Sequence, residues 1–451
     1  MSNKPLRGTL QSLQCHFTWH FEVKDKVDVV HILKTLALQV EHTVYPNRST
    51  YIAMKAYLHY LQGHYDKALH SLREAEEVLR QDHLTSFSRQ ALVAYGNYAW
   101  IYYHLNNYHM VELYLGRIHE ICQSLSSSEP YSVLIPEIHA QKGWCLLAGG
   151  FRNGMEATEC FRMALEGDAS NEEYQAGLAF SVFASWTHSW SDFDKAEAQR
   201  LLGEVTDCQS QNAEAKVYLA RLLQYTDLER ARRLAEDAVQ NSRNPEVLRI
   251  AAKVYQTQSL SQAISILKQG IDLAPSYHLL HYDLGLCYMK LMETAPPEER
   301  EEMVAAAIKS FKLCLEADPP SVFARLKLAK MYGERSPAYE EEIYLNLMEE
   351  LPSLSKRCQQ AVYLHWGDFL LHKKGLTHMT LEMYKACFRV PGDHPAEWKQ
   401  LLIRLRELAR RFQEDFEVDQ AEAVYSLLQE MRFKGPGHNR GRGLHSTGAV
   451  L

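Results

Sequence analysis

Few residues in the chain stand in an arrangement that could do chemistry. His16 and His20 are four apart, a spacing that places two imidazoles on one helix face and suits a metal ion. No H-E-x-x-H pattern or neighbouring carboxylate completes a ligand set, so packing is the plainer reading and no metal is expected. Cys15 beside His16 couples a thiol to a base, but adjacency along a packing segment does not aim one at the other. There is no phosphate-cradling G-x-x-x-x-G-K-[S/T] loop, no G-x-S-x-G elbow and no dinucleotide fingerprint. The expectation is a protein that holds something, with no cofactor and no catalysis.

Cations and large rings are the better candidates. Arg249 and Lys253, four apart, share a helix face, which on its own reads as a solvated one. The densest basic stretches are Arg230-Ala231-Arg232-Arg233 and the helix from Lys399 to Arg411, with Arg404, Arg406 and Arg410. Either suits an electrostatic path for RNA, against the plainer reading of a solvated face. Trp144 follows Gly143 and on its own reads as a core ring in the helix-packing notch. Trp19, Trp100 and Trp366 read as core.

These residues must be positioned by repeats. In Tyr282 to Pro319, Leu284-Gly285 and Tyr288 mark a first helix, and Ala307, Phe311, Cys314 and Pro319 a second. The preceding unit, Pro245 to Pro275, repeats the scheme with Ala251-Ala252, Tyr255, Ala263 and Leu267, and Ala252 to Gly285 is 33 residues. Such a period is the signature of stacked tetratricopeptide helix pairs. Further units span 51–79, 95–125, 137–168, 322–352 and 362–390, and two weak ones fall between 172 and 244, about nine in all. Small residues let paired helices approach, and an aromatic ring fills each notch. The polar run Glu293 to Glu298 reads as an inserted loop. The expected fold is all-α, a tetratricopeptide-repeat superhelical solenoid whose groove is the binding site.

With 451 residues, 46% hydrophobic and 23% charged, the chain is folded and long enough for such an array. The net charge of −7 excludes a general polyanion binder. Nine scattered cysteines without a C-x-x-C pair, no signal-like start and no long apolar run point to a reduced cytoplasmic protein with no membrane role. We expect a capping helical segment at 1–45, with Val29, Val30, Leu33, Leu36 and Val40 forming an apolar stripe, and N-terminal repeats at 46–244. C-terminal repeats and closing helices follow at 245–433, then a disordered tail at 434–451, whose Arg440-Gly441-Arg442-Gly443 suits nucleic-acid contact if it is not simply solvated.

Cys15-His16-Phe17-Thr18-Trp19 and the run Gly96-Asn97-Tyr98-Ala99-Trp100-Ile101-Tyr102-Tyr103-His104 resemble motifs of the interferon-induced proteins with tetratricopeptide repeats. Pro136-Glu137 with Gly143-Trp144, Ala251-Ala252-Lys253-Val254-Tyr255, Leu280-His281 and Gly285-Leu286-Cys287-Tyr288 extend the likeness, which runs from about residue 10 to about residue 390. The resemblance implies an interferon-induced antiviral effector of innate immunity that takes the 5′ end of foreign single-stranded RNA, triphosphorylated or capped, and blocks its translation. It implies that Gln39 lies near the terminal phosphate, that Trp144 stacks on a cap base, and that Arg249 and Lys253 touch the RNA backbone. It also implies departures: the family's tunnel lysine, aromatic and arginine fall on Ala148, Gly154 and Ala184. Further along, Ile250, Gln256 and Asp283 replace an aromatic, an arginine and a glutamine. A groove short of these cations suits a triphosphate less. The alternative reading is an interaction scaffold that holds protein partners, paralogues among them, as a homo- or hetero-oligomer.

Overall fold

The computed structural model describes residues 4–19, 26–189, 191–392 and 394–434. His20 lies outside these residues, as does the glycine-rich tail apart from Lys434. Among the described residues the chain forms twenty-two α-helices, two 3-10 turns and no strand. Contacts divide it into two compact units, Met1–Tyr277 and His278–Leu451. That division falls one helix pair later than the 244/245 boundary read from sequence, because the pair starting at Pro245 packs on the helices before it.

The first unit opens with α1 (Lys4–Gln11) and α2 (Lys26–His42), then stacks six helix pairs. These are α3 (Arg48–Leu61) with α4 (Tyr65–Asp82), α5 (Phe87–His104) with α6 (Tyr108–Ser124), and α7 (Pro136–Ala148) with α8 (Gly154–Gly167). They continue with α9 (Glu172–Ser189) and α10 (Asp192–Cys208), α11 (Ala213–Leu223) and α12 (Leu228–Asn241), then α13 (Pro245–Tyr255) and α14 (Leu260–Leu273). The second unit holds four pairs: α15 (His278–Thr294) with α16 (Pro297–Ala317), α17 (Val322–Gly333) with α18 (Pro337–Glu350), α19 (Lys356–His372) with α20 (Thr377–Arg389), and α21 (Pro395–Glu414) with α22 (Val418–Lys434). This is a tetratricopeptide solenoid, and the expected repeats all appear as helix pairs.

Local chemistry sets where the helices begin. Pro136, Pro245, Pro297 and Pro337 occupy first-turn positions, where a missing N–H costs nothing. Side chains of Asn107, Ser191, Asn212, Asp227, Asn244, Ser259 and Ser355 accept from backbone N–H groups of their own first turns. The pairs then close on small residues. A β-carbon at Gly143 would stand 2.7 Å from the Phe161 ring, one at Gly285 2.6 Å from Phe311, and one at Gly367 2.5 Å from Tyr384. Each of those three rings is wholly buried.

Two expectations need correction. Only Ala295 and Pro296 of the polar run Glu293 to Glu298 form a loop: α15 continues to Thr294 and α16 begins at Pro297, so the other extra residues lengthen both helices. The acidic Glu298 and Glu299 sit in the first turn of α16, where the helix dipole favours them. The opening segment also does more than cover an end. Leu10, Leu13, Cys15 and His16 are fully buried, and Trp100 Nε1–H donates to the Leu10 carbonyl at 3.1 Å. Helix α2 packs on α3 and reaches α7, with Val29, Ile32 and Leu36 buried.

Candidate nucleic-acid site

The first unit contains a cavity of about 240 Å³, walled by α2, the loop before α3, and the first helices of four later pairs. Gln39, Trp144 and Ala148 line it together, with Tyr45, Glu214 and Tyr218. Sequence positions more than a hundred residues apart meet here because the first helix of each pair presents one face to the same side.

Trp144 is buried and held on several sides. Its Nε1–H donates to Glu173 Oε1 at 2.8 Å. The edges of Phe161 and Phe180 meet its ring at centroid distances of 5.0 and 6.1 Å. Tyr45 stands over it at 6.0 Å with 30° between the planes. Tyr45 itself is pinned, its hydroxyl donating to Gln209 Oε1 at 2.5 Å and accepting from the Asn212 amide at 2.8 Å. Asn212 also caps α11, accepting from Ala215 N–H at 3.0 Å. Thus one side chain both starts a helix and fixes the ring opposite Trp144. Trp144 is thus a buried ring that also lines the cavity, while the notch beside it belongs to Gly143 and Phe161.

The cavity mixes charges, with Glu214, Glu246, Arg243 and His42 in its lining, and Glu173 is bonded to Trp144. Burial pushes the Glu173 carboxyl up to about 7, against the opposing pull of the Trp144 hydrogen bond. Burial likewise pushes Glu214 up to about 7, although the Tyr218 hydroxyl donates to it at 2.7 Å. Glu246 differs: burial pushes it up, but Arg249, the Tyr277 hydroxyl and Lys253 together hold it below the usual carboxylate range. Arg249 grips it with two bonds of 2.6 and 2.7 Å, and the Tyr277 hydroxyl donates to it at 2.6 Å.

Of the four residues expected from sequence, Gln39 and Trp144 line the cavity, whereas Arg249, bonded to Glu246, and Lys253 are not in its lining. The supposed losses have physical reasons. A β-carbon at Gly154 would lie 2.8 Å from both the Ala184 carbonyl carbon and the Ser181 oxygen, so no aromatic fits there. Phe151, in the 3-10 turn just before, lines the cavity instead. Ala184 is wholly buried against Gly154 and could not carry an exposed cation. His16, by contrast, is buried away from solvent, within 3.3 Å of Asn97 and 3.2 Å of the Cys145 sulfur, and burial lowers it to about 3. Sequence reading missed Tyr45, Glu173 and Glu214; the buried first-turn acids of α9 and α11 look like ordinary helix starts.

No family model matches the chain. It is 31% identical over 388 residues to the antiviral innate immune response effector IFIT1 of Macaca fascicularis, covering 81% of this chain and 80% of that protein. It is 27% identical over 449 residues to human interferon-induced protein with tetratricopeptide repeats 2, covering 95% and 93%. Among solved structures, an IFIT1 monomeric mutant with Gppp-AAAA superposes with a TM-score of 0.76 at 26% identity, covering 95% of this chain and all of that one. The human IFIT1 dimer with PPP-AAAA gives 0.75 at 28% identity, covering 95% and 96%. With aligned repeats, shared motifs and four-fifths of each sequence matched, the chain belongs to the interferon-induced proteins with tetratricopeptide repeats.

Proposed function

We propose that this protein holds the 5′ end of single-stranded RNA with its terminal base in the Trp144 cavity, and that it acts in the cytoplasm as an interferon-induced antiviral effector, withholding that RNA from translation by binding rather than catalysis. The observation that carries the reading is the pair of rings, Tyr45 and Trp144, 6.0 Å apart across one wall of the cavity. Bases stack at about 3.4 Å, so a base between two rings needs roughly 6.8 Å, and Tyr45 must swing away, releasing Gln209 and Asn212, to admit it. Glu214 at the cavity wall can accept from the N–H edge of a purine such as guanine. A cap adds an extra base for these rings to hold, which a bare triphosphate lacks, so a capped end is preferred. Relatives solved with Gppp-AAAA and PPP-AAAA support an RNA 5′ end as the cargo.

Fluorescence anisotropy of the purified protein with capped, 5′-triphosphate and 5′-hydroxyl RNA tests this. Capped RNA should bind tightest, and Trp144→Ala should weaken it most. Equal or absent binding of all three at low salt overturns the reading. The carboxylates of the lining also suit a basic protein segment, the scaffold alternative. Partners that survive ribonuclease in a pull-down would favour it.

A further inference from the structure

The second unit carries a charge cluster unrelated to that cavity. Three successive first helices, α17, α19 and α21, contribute Lys327, His365 and Arg404 at positions one repeat apart. Arg404 is engaged: its guanidinium makes two 2.6 Å bonds to Asp368, which also accepts from the Tyr384 hydroxyl at 2.8 Å. Asp368 is therefore saturated and has little left for its neighbours. Lys327 and His365 are half-buried, and neither has a hydrogen-bond or ion-pair partner among the described residues.

The charges around Lys327 and His365 are mostly positive. Burial lowers the Lys327 ammonium, and the charges of Lys330 and Arg404 lower it further, with Asp368 opposing weakly. Burial also lowers His365 well below its ordinary range, reinforced by Lys327, Arg404 and Lys330, so the ring stays neutral with an N–H to donate. The cations here are Lys327, Lys330 and Arg404, set about the single carboxylate of Asp368, so an added negative charge is favoured.

We propose that Lys327 and His365, backed by Arg404, form an anion site in the second unit that takes a backbone phosphate of single-stranded RNA; this rests on the reading of the protein as an RNA binder. A phosphodiester, and not an acidic peptide, follows from the reading of the protein as an RNA binder. The guanidinium fork of Arg404, which could grip either anion, is already taken by Asp368. What remains is a point-charge ammonium and one imidazole N–H, which suit a phosphodiester oxygen pair.

The test is anisotropy of the full-length protein with labelled capped single-stranded RNA across a salt series, for wild type, Lys327→Gln, Lys327→Arg, His365→Asn and Trp144→Ala. Lys327→Gln should weaken binding about three- to tenfold and flatten the slope of log affinity on log salt by about 0.7, while Lys327→Arg keeps the slope. Thermal melts establish that each variant folds, and His365→Asn, expected to weaken binding without flattening the slope, gives a second readout should Lys327→Gln not fold. Unchanged affinity and slope in both Lys327→Gln and His365→Asn, with binding lost in Trp144→Ala, overturns this site and leaves the 5′-end reading standing. Loss in Lys327→Gln with Trp144→Ala unaffected does the reverse. If Lys327→Gln loses a labelled polyglutamate probe but keeps RNA, the cluster belongs to a protein partner and the proposal fails.

Discussion

Trp144 donates its indole N–H to Glu173, so the ring that faces the cavity is oriented by a carboxylate one repeat away. Glu173→Gln keeps an acceptor in place and should leave RNA binding within about twofold, whereas Glu173→Ala strands a buried indole N–H at a cost of about 1 to 3 kcal/mol. Thermal melts of the two variants separate the cases: only the alanine variant should fall clearly.

Stability should decline with pH across a defined window. Glu173 and Glu214 titrate near 7 in the fold because burial disfavours their charged forms, and near 4.5 when exposed. Between those values the folded chain keeps protons that the unfolded chain releases, so stability is greatest below about 4.5 as far as these groups are concerned, falls as pH rises towards about 7, and levels above it. Melting temperature against pH should show this slope, and Glu214→Gln should make it shallower. An identical slope in the variant would remove Glu214 as a cause.

Tyr45 is predicted to serve as the second stacking face. Tyr45→Ala should weaken capped RNA by about 1 to 3 kcal/mol, roughly five- to 150-fold, while Tyr45→Phe, which loses only the bonds to Gln209 and Asn212, should lose less than half of that. Titration by anisotropy reads both.

The glycine notches predict a stability effect independent of RNA. Gly143→Ala forces a methyl into the Phe161 ring and should cost about 1 to 3 kcal/mol, and Gly285→Ala should do the same against Phe311. Denaturant unfolding is the measurement. Near-neutral behaviour at both sites would refute the notch account.

Opposite signs are expected within the second-unit cluster. Asp368→Asn deprives Arg404 of its paired carboxylate and, the pair being partly exposed, should destabilise by about 1 to 2 kcal/mol. Lys327→Gln removes a repelled ammonium and should melt at or above wild type in the absence of RNA.

The repeats were readable in the sequence because each notch pairs a small residue with a ring at fixed spacing, as Gly285 and Phe311 do. Gln39 and Trp144 were placed by likeness to a family, and both line the cavity. Periodicity could not show that Arg249 is occupied by Glu246, since an i, i+3 ion pair and a free cation look alike in one dimension. Nor could it show Tyr45, which sits in the loop before Pro46 and gains its position from Gln209 and Asn212, over 160 residues away. Why position 154 is a glycine was equally out of reach, since contact with the backbone at Ala184 decides what fits there.

Phe161 bears on Gly143 of α7 and also on Gly177 of α9, with its edge against Trp144. Neither helix can slide past the other by a methyl group's width without tilting that ring. The cavity is thus geared to the pitch of the stack. A macromolecule that flexes these pairs from outside would alter the grip on the cargo without ever touching it, making the spring-like body of the array a lever on its own hold.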